Sequence, residues 1–274
     1  MKTLVLHSLE TSAAKKLALE LGGEIEVRKS HFRIHTKKDF DIENFRLSNN
    51  FDLNIFDNNF DYQNIKLMVS DMDSTLITVE TIDEVAKEVG LKDEISLITE
   101  AAMQGHLDFT ESFKKRLSIL KGVSNSSFES VYNKKVEFSP GAKVLIEYFK
   151  SNQIRTAVVS GGLSFFAKKL QSQLGIDNCR ANNVEIINQS ITGNVIGNVI
   201  DAKEKAKYID ELCDQYKLKN NQVIAIGDGA NDIEMMKVAG LSVAYHAKPI
   251  LKQYCDIQIN YGSLASLIDF FVDA

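Results

Sequence analysis

The sequence predicts an α/β protein with a doubly wound, mostly parallel sheet, a helical segment inserted after the first core strand, and a small α+β domain at the N-terminus. From Pro140 onward, short apolar strands alternate with helices, which is typical of a parallel sheet covered on both faces. Between about residues 78 and 135, apolar residues recur every three or four positions, which predicts consecutive helices. The first 62 residues show strand and helix patterns in the order β-α-β-β-α-β, which is the order of a ferredoxin-like domain.

The N-terminal domain is predicted to span residues 1–62. Its predicted strands cover residues 3–8, 24–28, 31–35 and 51–56, and its predicted helices cover residues 12–21 and 42–47. The polar segment at 57–64 is interpreted as the linker that leaves this domain. The histidines His7, His31 and His35 lack metal-ligand companions in the sequence, so we interpret them as surface or packing residues.

Residues 63–274 are predicted to form the core domain, with the helical segment at about 78–135 as a cap. The predicted core strands cover residues 65–70, 156–159, 223–226, 241–244 and 257–259, and the predicted helices cover residues 141–150, 163–174 and 233–238. Residues 184–193 alternate like a β-hairpin attached to this core. Because the cap follows the first core strand, it can cover the end of that strand, exclude water and contribute specificity residues.

Composition and charge narrow the function classes. The chain has 274 residues, of which 44% are hydrophobic and 25% are charged, and this suits a globular protein with a sizeable core. Its formal net charge of −5 disfavours a broad basic surface, so we expect no nucleic-acid partner. No apolar run approaches the roughly 18 residues of a membrane span, so we expect no membrane partner. The three cysteines form no C-x-x-C pair, which favours a reducing, cytoplasmic setting.

Two carboxylates follow the first core strand directly. Asp71 and Asp73 end the apolar run at 65–70, and a strand that serves only packing gains nothing from such an ending. A carboxylate held beside a divalent cation can attack phosphorus and form an aspartyl-phosphate. The second carboxylate, two residues on, is placed for proton transfer. Taken alone, the pair would also fit an ordinary polar turn, because Asp is common in turns.

Two other predicted strands end in turns that can bind phosphate or metal. Residues 160–162, Ser-Gly-Gly, offer a hydroxyl and unhindered backbone N–H groups, which suit a phosphate. Residues 227–232 supply carboxylates, and Asp228 together with Asp71 would suit octahedral Mg²⁺. Because the carboxyl ends of parallel strands meet at one edge of a sheet, we expect these turns to lie side by side.

Lys205 supplies a fourth element. It lies in a lysine-rich run and could bring a fixed positive charge to a phosphate, although helical periodicity does not favour it over Lys203 or Lys207. The aspartate pair, the serine turn, the lysine and the G-D-G-x-N-D turn then follow one another along the chain. In these four motifs and their order, the chain resembles the haloacid dehalogenase-like phosphohydrolase superfamily.

Within that superfamily, the chain is much more similar to the phosphoserine phosphatase family. The similarity is carried by E-T-I-D-E at 80–84, V-V-S-G-G at 158–162 and A-Y-H-A-K-P at 244–249. It extends over residues 65 to about 270. The resemblance implies a haloacid dehalogenase-like core fold, a Mg²⁺ cofactor and O-phospho-L-serine as the small-molecule substrate.

The resemblance also implies roles for the aspartates of the first and last motifs. Asp71 would be the nucleophile. Asp73 would protonate the leaving serine oxygen and later activate water, provided that its carboxylate does not face the metal. The metal would be held by Asp71, by the backbone carbonyl of Asp73 and by Asp228.

The other motif residues are implied to bind the phosphate. Ser160, Gly161 and Lys205 would hold the phosphoryl oxygens, and Asn231 would contact the phosphate. Asp232 would orient Lys205 or the waters on the metal. Catalysis of this kind depends mainly on positioning and charge stabilisation.

The cap is implied to select the amino acid. By resemblance, Glu80 pairs with the substrate ammonium, Arg116 pairs with its carboxylate, and Met103 packs nearby. Charge logic agrees, because a zwitterion needs one anion and one cation, and the guanidinium fork suits a carboxylate. Without the resemblance, Arg116 in its Lys-Lys-Arg run would fit a solvated helix face, and Met103 would fit an ordinary core position.

The resulting functional expectation is Mg²⁺-dependent hydrolysis of O-phospho-L-serine to L-serine and phosphate, the last step of serine biosynthesis. One alternative is a phosphotransferase that passes the phosphoryl group to another hydroxyl amino acid, such as homoserine. A phosphoprotein phosphatase fits less well, because the cap is long enough to enclose a small substrate. A third alternative concerns the N-terminal domain, whose element order resembles ACT-like regulatory domains; amino-acid sensing, packing and homodimer formation all stay open for it.

Overall fold

The computed structural model describes residues 1–103 and 106–272 and contains two β-sheets. The N-terminal part consists of β1 (Lys2–Leu6), α1 (Thr11–Leu21), β2 (Glu24–Val27), β3 (Phe32–Thr36), α2 (Ile42–Leu47) and β4 (Leu53–Phe56). Its four strands are antiparallel and lie in the order β2-β3-β1-β4. This is the predicted ferredoxin-like arrangement, although the domain limit at residue 62 stays a prediction.

Helix α1 illustrates how the sequence produces this part of the fold. Its buried positions recur at three and four residues, so they form one apolar stripe against the sheet: Ala13, Ala14, Leu17, Ala18 and Leu21. The helix stops at Gly22, whose φ of +55° lies in the left-handed region that glycine adopts without steric cost. Together with Leu4, Leu6, Phe32, Ile34 and Leu53, the stripe forms a separate apolar core.

The second sheet has seven strands and is mostly parallel. Its strands are β5 (Leu67–Ser70), β6 (Arg155–Leu163), β7 (Asn178–Ile187), β8 (Ser190–Ile196), β9 (Val223–Gly227), β10 (Leu241–Tyr245) and β11 (Ile257–Ile259). They lie in the order β11-β10-β9-β5-β6-β7-β8, and β8 alone pairs in the antiparallel sense. The flanking helices are α7 (Ala142–Ser151), α8 (Ser164–Leu174), α9 (Ala202–Tyr216), α10 (Ile233–Val238) and α11 (Pro249–Lys252). The predicted α/β core is therefore confirmed.

In the described residues of the predicted cap segment, the structure has four helices. They are α3 (Thr81–Glu88), α4 (Lys92–Met103), α5 (Phe109–Ile119) and α6 (Asn125–Lys135). The chain enters and leaves this segment side by side, since the Thr78 N–H donates to the Glu137 carbonyl (3.0 Å) and the Ser139 N–H donates to the Leu76 carbonyl (2.9 Å). The two chain segments that connect the cap to the core are therefore adjacent and lie directly beyond β5.

Two local predictions differ from the structure. Strand β6 continues through the Ser-Gly-Gly segment, with a shift in register between Val159 and Leu163, so this segment is a bulged strand end and not a turn. The predicted hairpin is longer than expected, because β7 begins at Asn178 and pairs in parallel with β6 before it turns. Neither strand extension carries the alternating or purely apolar pattern on which the prediction depended.

The polar segment at 57–64, predicted to be a linker, contains one buried aromatic residue. Tyr62 within it is 5% exposed, and its ring lies 4.6 Å from the ring of Phe56 and 5.5 Å from the ring of Phe270. The N-terminal sheet is thereby joined to the C-terminal segment of the core through aromatic contacts.

Among the described residues, no helix is both long and apolar enough to cross a membrane.

Candidate active site

Asp71 lies directly beyond β5, in the middle of the core sheet. Its backbone N–H donates to the Ile226 carbonyl on β9 (2.9 Å), which holds the residue at the strand end. The side chain is 3% exposed. Its Oδ1 accepts from the Met72 N–H (2.7 Å), and its Oδ2 lies 2.8 Å from Nζ of Lys205. The sheet therefore presents a buried carboxylate with one oxygen beside a cation.

Lys205 is a fully buried lysine in the first turn of α9, with 0% exposure. Its Nζ donates to Oδ1 of Asp232 at 2.7 Å and also pairs with Asp71. Lys203 and Lys207, its neighbours in the lysine-rich run, are exposed. Tertiary structure thus singles out Lys205 from three candidates that the sequence pattern alone does not separate.

The turn after β9 brings in Asp228 and Asp232. Oδ2 of Asp232 accepts from the backbone N–H groups of Asp228 and Gly229 (3.1 Å each), and its Oδ1 is occupied by Lys205. Asp228 is 7% exposed, and among the described residues its carboxylate has only a long hydrogen bond from Thr75 Oγ1 (3.5 Å) and an ion pair with Lys248 at 3.8 Å. Asp232 is therefore committed to its neighbours, whereas the Asp228 carboxylate retains free acceptor capacity.

Three carboxylates meet one buried ammonium at this edge of the sheet. One oxygen each of Asp71, Asp228 and Asp232 lies within 4.8 Å of the other two. Burial and the charge of Asp232 raise the pKa of Asp71 well above its usual range, and the same causes raise the pKa of Asp228 to about 7. Burial lowers the pKa of Lys205, but the charges of Asp232 and Asp71 outweigh burial and the net shift is upward. The cluster thus carries excess negative charge.

This donor set fits a hard divalent cation such as Mg²⁺. Such ions take oxygen ligands and usually bind through one or two carboxylates plus waters and substrate phosphate. Asp71 and Asp228 could supply the carboxylates, because Asp228 receives only long contacts and Oδ1 of Asp71, which accepts a single N–H, keeps a free lone pair. Asp232 lies behind them with both oxygens engaged. A bound cation would offset the excess negative charge and return the pKa values of these carboxyl groups toward their usual range.

Asp73 is held apart from this charge cluster. Its Oδ1 accepts from the Thr81 N–H and its Oδ2 from the Thr81 hydroxyl, both at 3.3 Å. Gly162 of β6 passes so close that an added Cβ would lie 2.7 Å from Asp73 Oδ2, which explains why glycine stands there. Burial and the charge of Glu80 raise the pKa of Asp73 to about 8. This carboxyl group therefore holds a proton at neutral pH and can donate it.

Ser160 lies at the bulged end of β6, beside β5. It is 1% exposed, and its Oγ accepts from the Gly162 N–H (2.8 Å). At Gly161, an added Cβ would lie 2.5 Å from the ring of Phe109 in the cap. This small, donor-rich segment is therefore covered by an aromatic side chain from α5.

The cap contributes charged side chains to this region, among them the anionic Glu80 and the cationic Arg116. Glu80 precedes α3 and is exposed, and its Oε1 accepts from the Ser74 hydroxyl (2.7 Å). Nε of Arg116 in α5 is buried and has no hydrogen-bond partner among the described residues. Burial lowers the pKa of Arg116, and the charges of Asp83, Glu80 and Asp73 oppose that shift. A buried guanidinium with an unused N–H is suited to an incoming carboxylate.

The core of the chain matches a known protein family. The sequence profile of the haloacid dehalogenase-like hydrolases matches residues 68–237, a span that covers more than half of the chain and contains all four motifs. The chain belongs to the haloacid dehalogenase-like hydrolase family. This result confirms the resemblance inferred from the motif order, and the hydrolase is therefore an enzyme of that family.

Relatives of the hydrolase are phosphoserine phosphatases by name. The phosphoserine phosphatase of Polaromonas sp. is 43% identical over 209 residues, which cover 74% of this chain and 89% of that protein. A HAD family hydrolase from Salmonella enterica serovar Typhi is 28% identical, with a TM-score of 0.91 over 99% of this chain and 98% of that one. A probable phosphoserine phosphatase from Vibrio cholerae is 30% identical, with a TM-score of 0.85 over 98% and 85%. The two-sheet arrangement is thus shared with solved structures.

The structure adds two residues of the hydrolase that sequence reasoning did not single out. Phe109 covers Gly161. Asn182, 1% exposed, donates from Nδ2 to the Gly161 carbonyl (2.8 Å) and accepts at Oδ1 from the Ile200 N–H (2.8 Å). A buried Asn in a strand was the available signal, but its partners are visible only in the fold.

The prediction for Met103 concerns a side chain that lies outside the described residues.

Proposed function

We propose that this hydrolase converts O-phospho-L-serine to L-serine and phosphate through an aspartyl-phosphate on Asp71, as the last step of serine biosynthesis in the cytoplasm. The observation that carries the proposal is the contact between Asp71 and buried Lys205 (2.8 Å), beside further carboxylates and beneath a cap that holds Glu80 and Arg116. The names of the relatives support the choice of substrate.

In the first proposed step, an Asp71 oxygen attacks phosphorus, and the bond between phosphorus and the serine oxygen breaks. Asp73, with its pKa raised to about 8, delivers its proton to that oxygen, so L-serine leaves as a neutral alcohol. Lys205, the Ser160 hydroxyl and the Gly161 N–H hold the phosphoryl oxygens while their charge is redistributed.

In the second step, a water molecule attacks the phosphorus of the aspartyl-phosphate. Asp73, now ionised, accepts the proton of that water, and the bond from phosphorus to Asp71 breaks, which releases phosphate and restores both carboxyl groups. Asn231, whose Nδ2 lies 3.4 Å from Oδ2 of Asp71, contacts the phosphate. Asp232 keeps Lys205 in place through its 2.7 Å hydrogen bond.

Mg²⁺ is the proposed cofactor, held by the carboxylates of Asp71 and Asp228 and by the backbone carbonyl of Asp73. When bound, it neutralises charge on the phosphoryl oxygens. Burial and Asp232 raise the pKa values of Asp71 and Asp228, so binding must displace protons. Metal affinity should therefore rise with pH across the neutral range.

The cap is proposed to recognise the amino acid. Glu80 would accept the substrate ammonium, and the unpartnered Nε of Arg116 would donate to its carboxylate as part of a guanidinium fork. The limits proposed for the parts that cooperate are 1–62 for the N-terminal domain, 63–274 for the core and about 78–135 for the cap.

A substrate panel tests the proposal. Phosphate release is measured from O-phospho-L-serine, O-phospho-L-threonine and p-nitrophenyl phosphate, with Mg²⁺ and with EDTA. We expect phosphate release to be much faster from phosphoserine than from the other two substrates, and we expect EDTA to abolish it. Turnover of the aryl phosphate without turnover of phosphoserine would keep the phosphatase chemistry but overturn the substrate and cap assignments.

Two further experiments distinguish the proposed mechanism from its alternatives. Rapid acid quenching with ³²P-labelled phosphoserine should yield labelled protein that hydroxylamine discharges, because acyl phosphates react with hydroxylamine whereas phosphate esters do not. Homoserine added as an acceptor tests phosphoryl transfer. Phosphohomoserine formed in place of free phosphate would favour the phosphotransferase.

A further inference from the structure

Asp52 is a buried carboxylate of the N-terminal part that binds the core. It directly precedes β4, is 2% exposed, and belongs to none of the four motifs. Its Oδ1 accepts from the Asn260 N–H (2.6 Å), its Oδ2 accepts from the Gly262 N–H (2.7 Å), and the Tyr261 N–H lies within 3.3 Å of both oxygens. One side chain from the N-terminal sheet thus holds three consecutive backbone donors of the core.

The loop that Asp52 holds follows β11 at the carboxyl edge of the core sheet. Its Gly262 carbonyl accepts from Nε2 of His246 (2.9 Å), so that nitrogen carries a proton. His246 follows β10, and its φ of 44° lies in the left-handed region, which costs energy for a residue other than glycine. Its own N–H donates to the Ile259 carbonyl (2.7 Å). The conformation at His246 is therefore maintained by the loop that Asp52 organises.

The segment 246–248 then reaches the last motif. The Lys248 N–H donates to the backbone carbonyl of Asp228 (2.8 Å), and Nζ of Lys248 lies 3.8 Å from Asp228 Oδ2. On the other side, the Asp228 N–H is held by Asp232 (3.1 Å). The Asp228 backbone is thus fixed between its own turn and the segment that begins at His246, while its carboxylate has the long hydrogen bond from Thr75 and the 3.8 Å ion pair with Lys248.

We propose that Asp52 is a positioning residue through which the N-terminal sheet orients Asp228 and so sets the affinity of the core for a divalent cation. The route runs from Asp52 through the Gly262 carbonyl and His246 to Lys248 and Asp228. This inference rests on the metal site of the proposed function. It gives the N-terminal sheet a role in completing the active site that requires no small-molecule ligand.

The test compares full-length wild type with Asp52→Asn, His246→Asn, the double variant and Asp269→Asn. Asn at position 52 leaves its amide donor facing either the Gly262 N–H or the Asn260 N–H. Asn at position 246 tolerates a positive φ but is too short to reach Gly262. Asp269 also binds the two parts of the chain together but does not contact this loop, so it is a control that removes the same charge from the same interface.

The first measurement is the affinity for Mn²⁺ without substrate. The electron paramagnetic resonance signal of the free ion monitors binding, and thermal unfolding is recorded in parallel. Changes around a metal ligand typically cost 10- to 100-fold in affinity, and for this more distant route we expect Asp52→Asn and His246→Asn each to raise the Kd by about fivefold. The double variant should be no weaker than the weaker single variant, because both break one route. Asp269→Asn should lower the Tm and leave the Kd unchanged.

The second measurement is the Mg²⁺ dependence of phosphoserine hydrolysis. We expect Asp52→Asn and His246→Asn to need more Mg²⁺ and to recover the wild-type kcat at saturation, which a merely loosened fold would not do. Equal weakening in Asp269→Asn, or wild-type Mn²⁺ affinity in His246→Asn, would overturn the inference, and His246→Asn keeps the test decisive if Asp52→Asn fails to fold. A wild type that binds no Mn²⁺ would overturn the metal site itself, and the inference with it.

Discussion

Two buried charged clusters in this chain are built in opposite ways. At the carboxyl edge of the core sheet, Lys205 pairs with Asp71 and Asp232, and the nearby Asp228 leaves negative charge uncompensated. At the junction of the two sheets, Asp269 stands as a single buried carboxylate among many donors. Its partners are Nδ1 of His7 (2.8 Å), Oγ of Ser30 (2.5 Å) and Nδ1 of His31 (3.3 Å).

The pKa shifts of the two clusters have opposite signs. Burial would raise the pKa of Asp269, but hydrogen bonds from His31, His7 and Ser30 outweigh it and hold the pKa well below its usual range. At the sheet edge, burial and neighbouring carboxylates raise the pKa values of Asp71 and Asp228. A carboxylate that the fold itself satisfies stabilises the fold, whereas one that the fold leaves unsatisfied is available to a ligand.

The largest expected effect is that of Asp71→Asn on catalysis. Removing the proposed nucleophile should lower kcat by at least about four orders of magnitude. Because the change also removes one excess negative charge, the Tm of the metal-free protein should stay equal or rise. Steady-state kinetics and calorimetry on the same preparation check both. A marked fall in Tm would place Asp71 among the structural carboxylates and erase the contrast with Asp269.

Arg116→Ala should separate substrate recognition from chemistry. Loss of a charge-assisted contact of about 2 to 3 kcal/mol should raise the KM for phosphoserine by about a hundredfold and leave p-nitrophenyl phosphate turnover nearly unchanged. Lys115→Ala, an exposed neighbour on the same helix, is the matched control. Equal effects on both substrates would mean that Arg116 supports the cap and does not bind the carboxylate.

Asp269→Asn should cost stability and not activity. Removing the acceptor of several buried donors should lower the free energy of unfolding by about 2 kcal/mol at pH 7. The pKa of Asp269 in the folded protein lies below its unfolded value of about 4. The stabilisation is therefore complete above about pH 4 and is lost as the pH falls through the folded pKa. Chemical denaturation from pH 7 to pH 3 should therefore show a constant difference between the two proteins down to about pH 4 and a shrinking difference below it. A constant difference at every pH would contradict the charge-based account.

The smallest expected effect is a displacement of the pH profile in Glu80→Gln. After burial, the charge of Glu80 is the next cause that raises the pKa of Asp73 to about 8. Asp73 must be protonated to act as the acid, so kcat/KM should fall as the pH rises through this value. Without the Glu80 charge the pKa of Asp73 drops, and the alkaline limb should move to lower pH. An unmoved limb would assign it to another group.

The core of the candidate site could be read from the sequence because of one property of parallel sheets. Strands that run in one direction bring their carboxyl ends to a single edge, so Asp71, Ser160 and Asp228 could be grouped without knowing any distance. The ferredoxin-like order of the N-terminal part followed in the same way from periodicity. The register shift at the end of β6 was missed, since a bulge has no periodic signal.

What the sequence by itself determined, then, was the order of the elements and the residue types at the strand ends, because periodicity and turn chemistry are local properties. Periodicity left Lys205 level with its neighbours, and burial in the tertiary structure distinguished it. Only the tertiary structure brought Asn182 to Gly161, and joined Asp52 and Asp269 to partners 210 and 262 residues away. Those choices depend on burial and on long-range packing. A carboxylate looks the same in the sequence whether the fold satisfies its charge or leaves it for a metal ion, and the surrounding donors decide which.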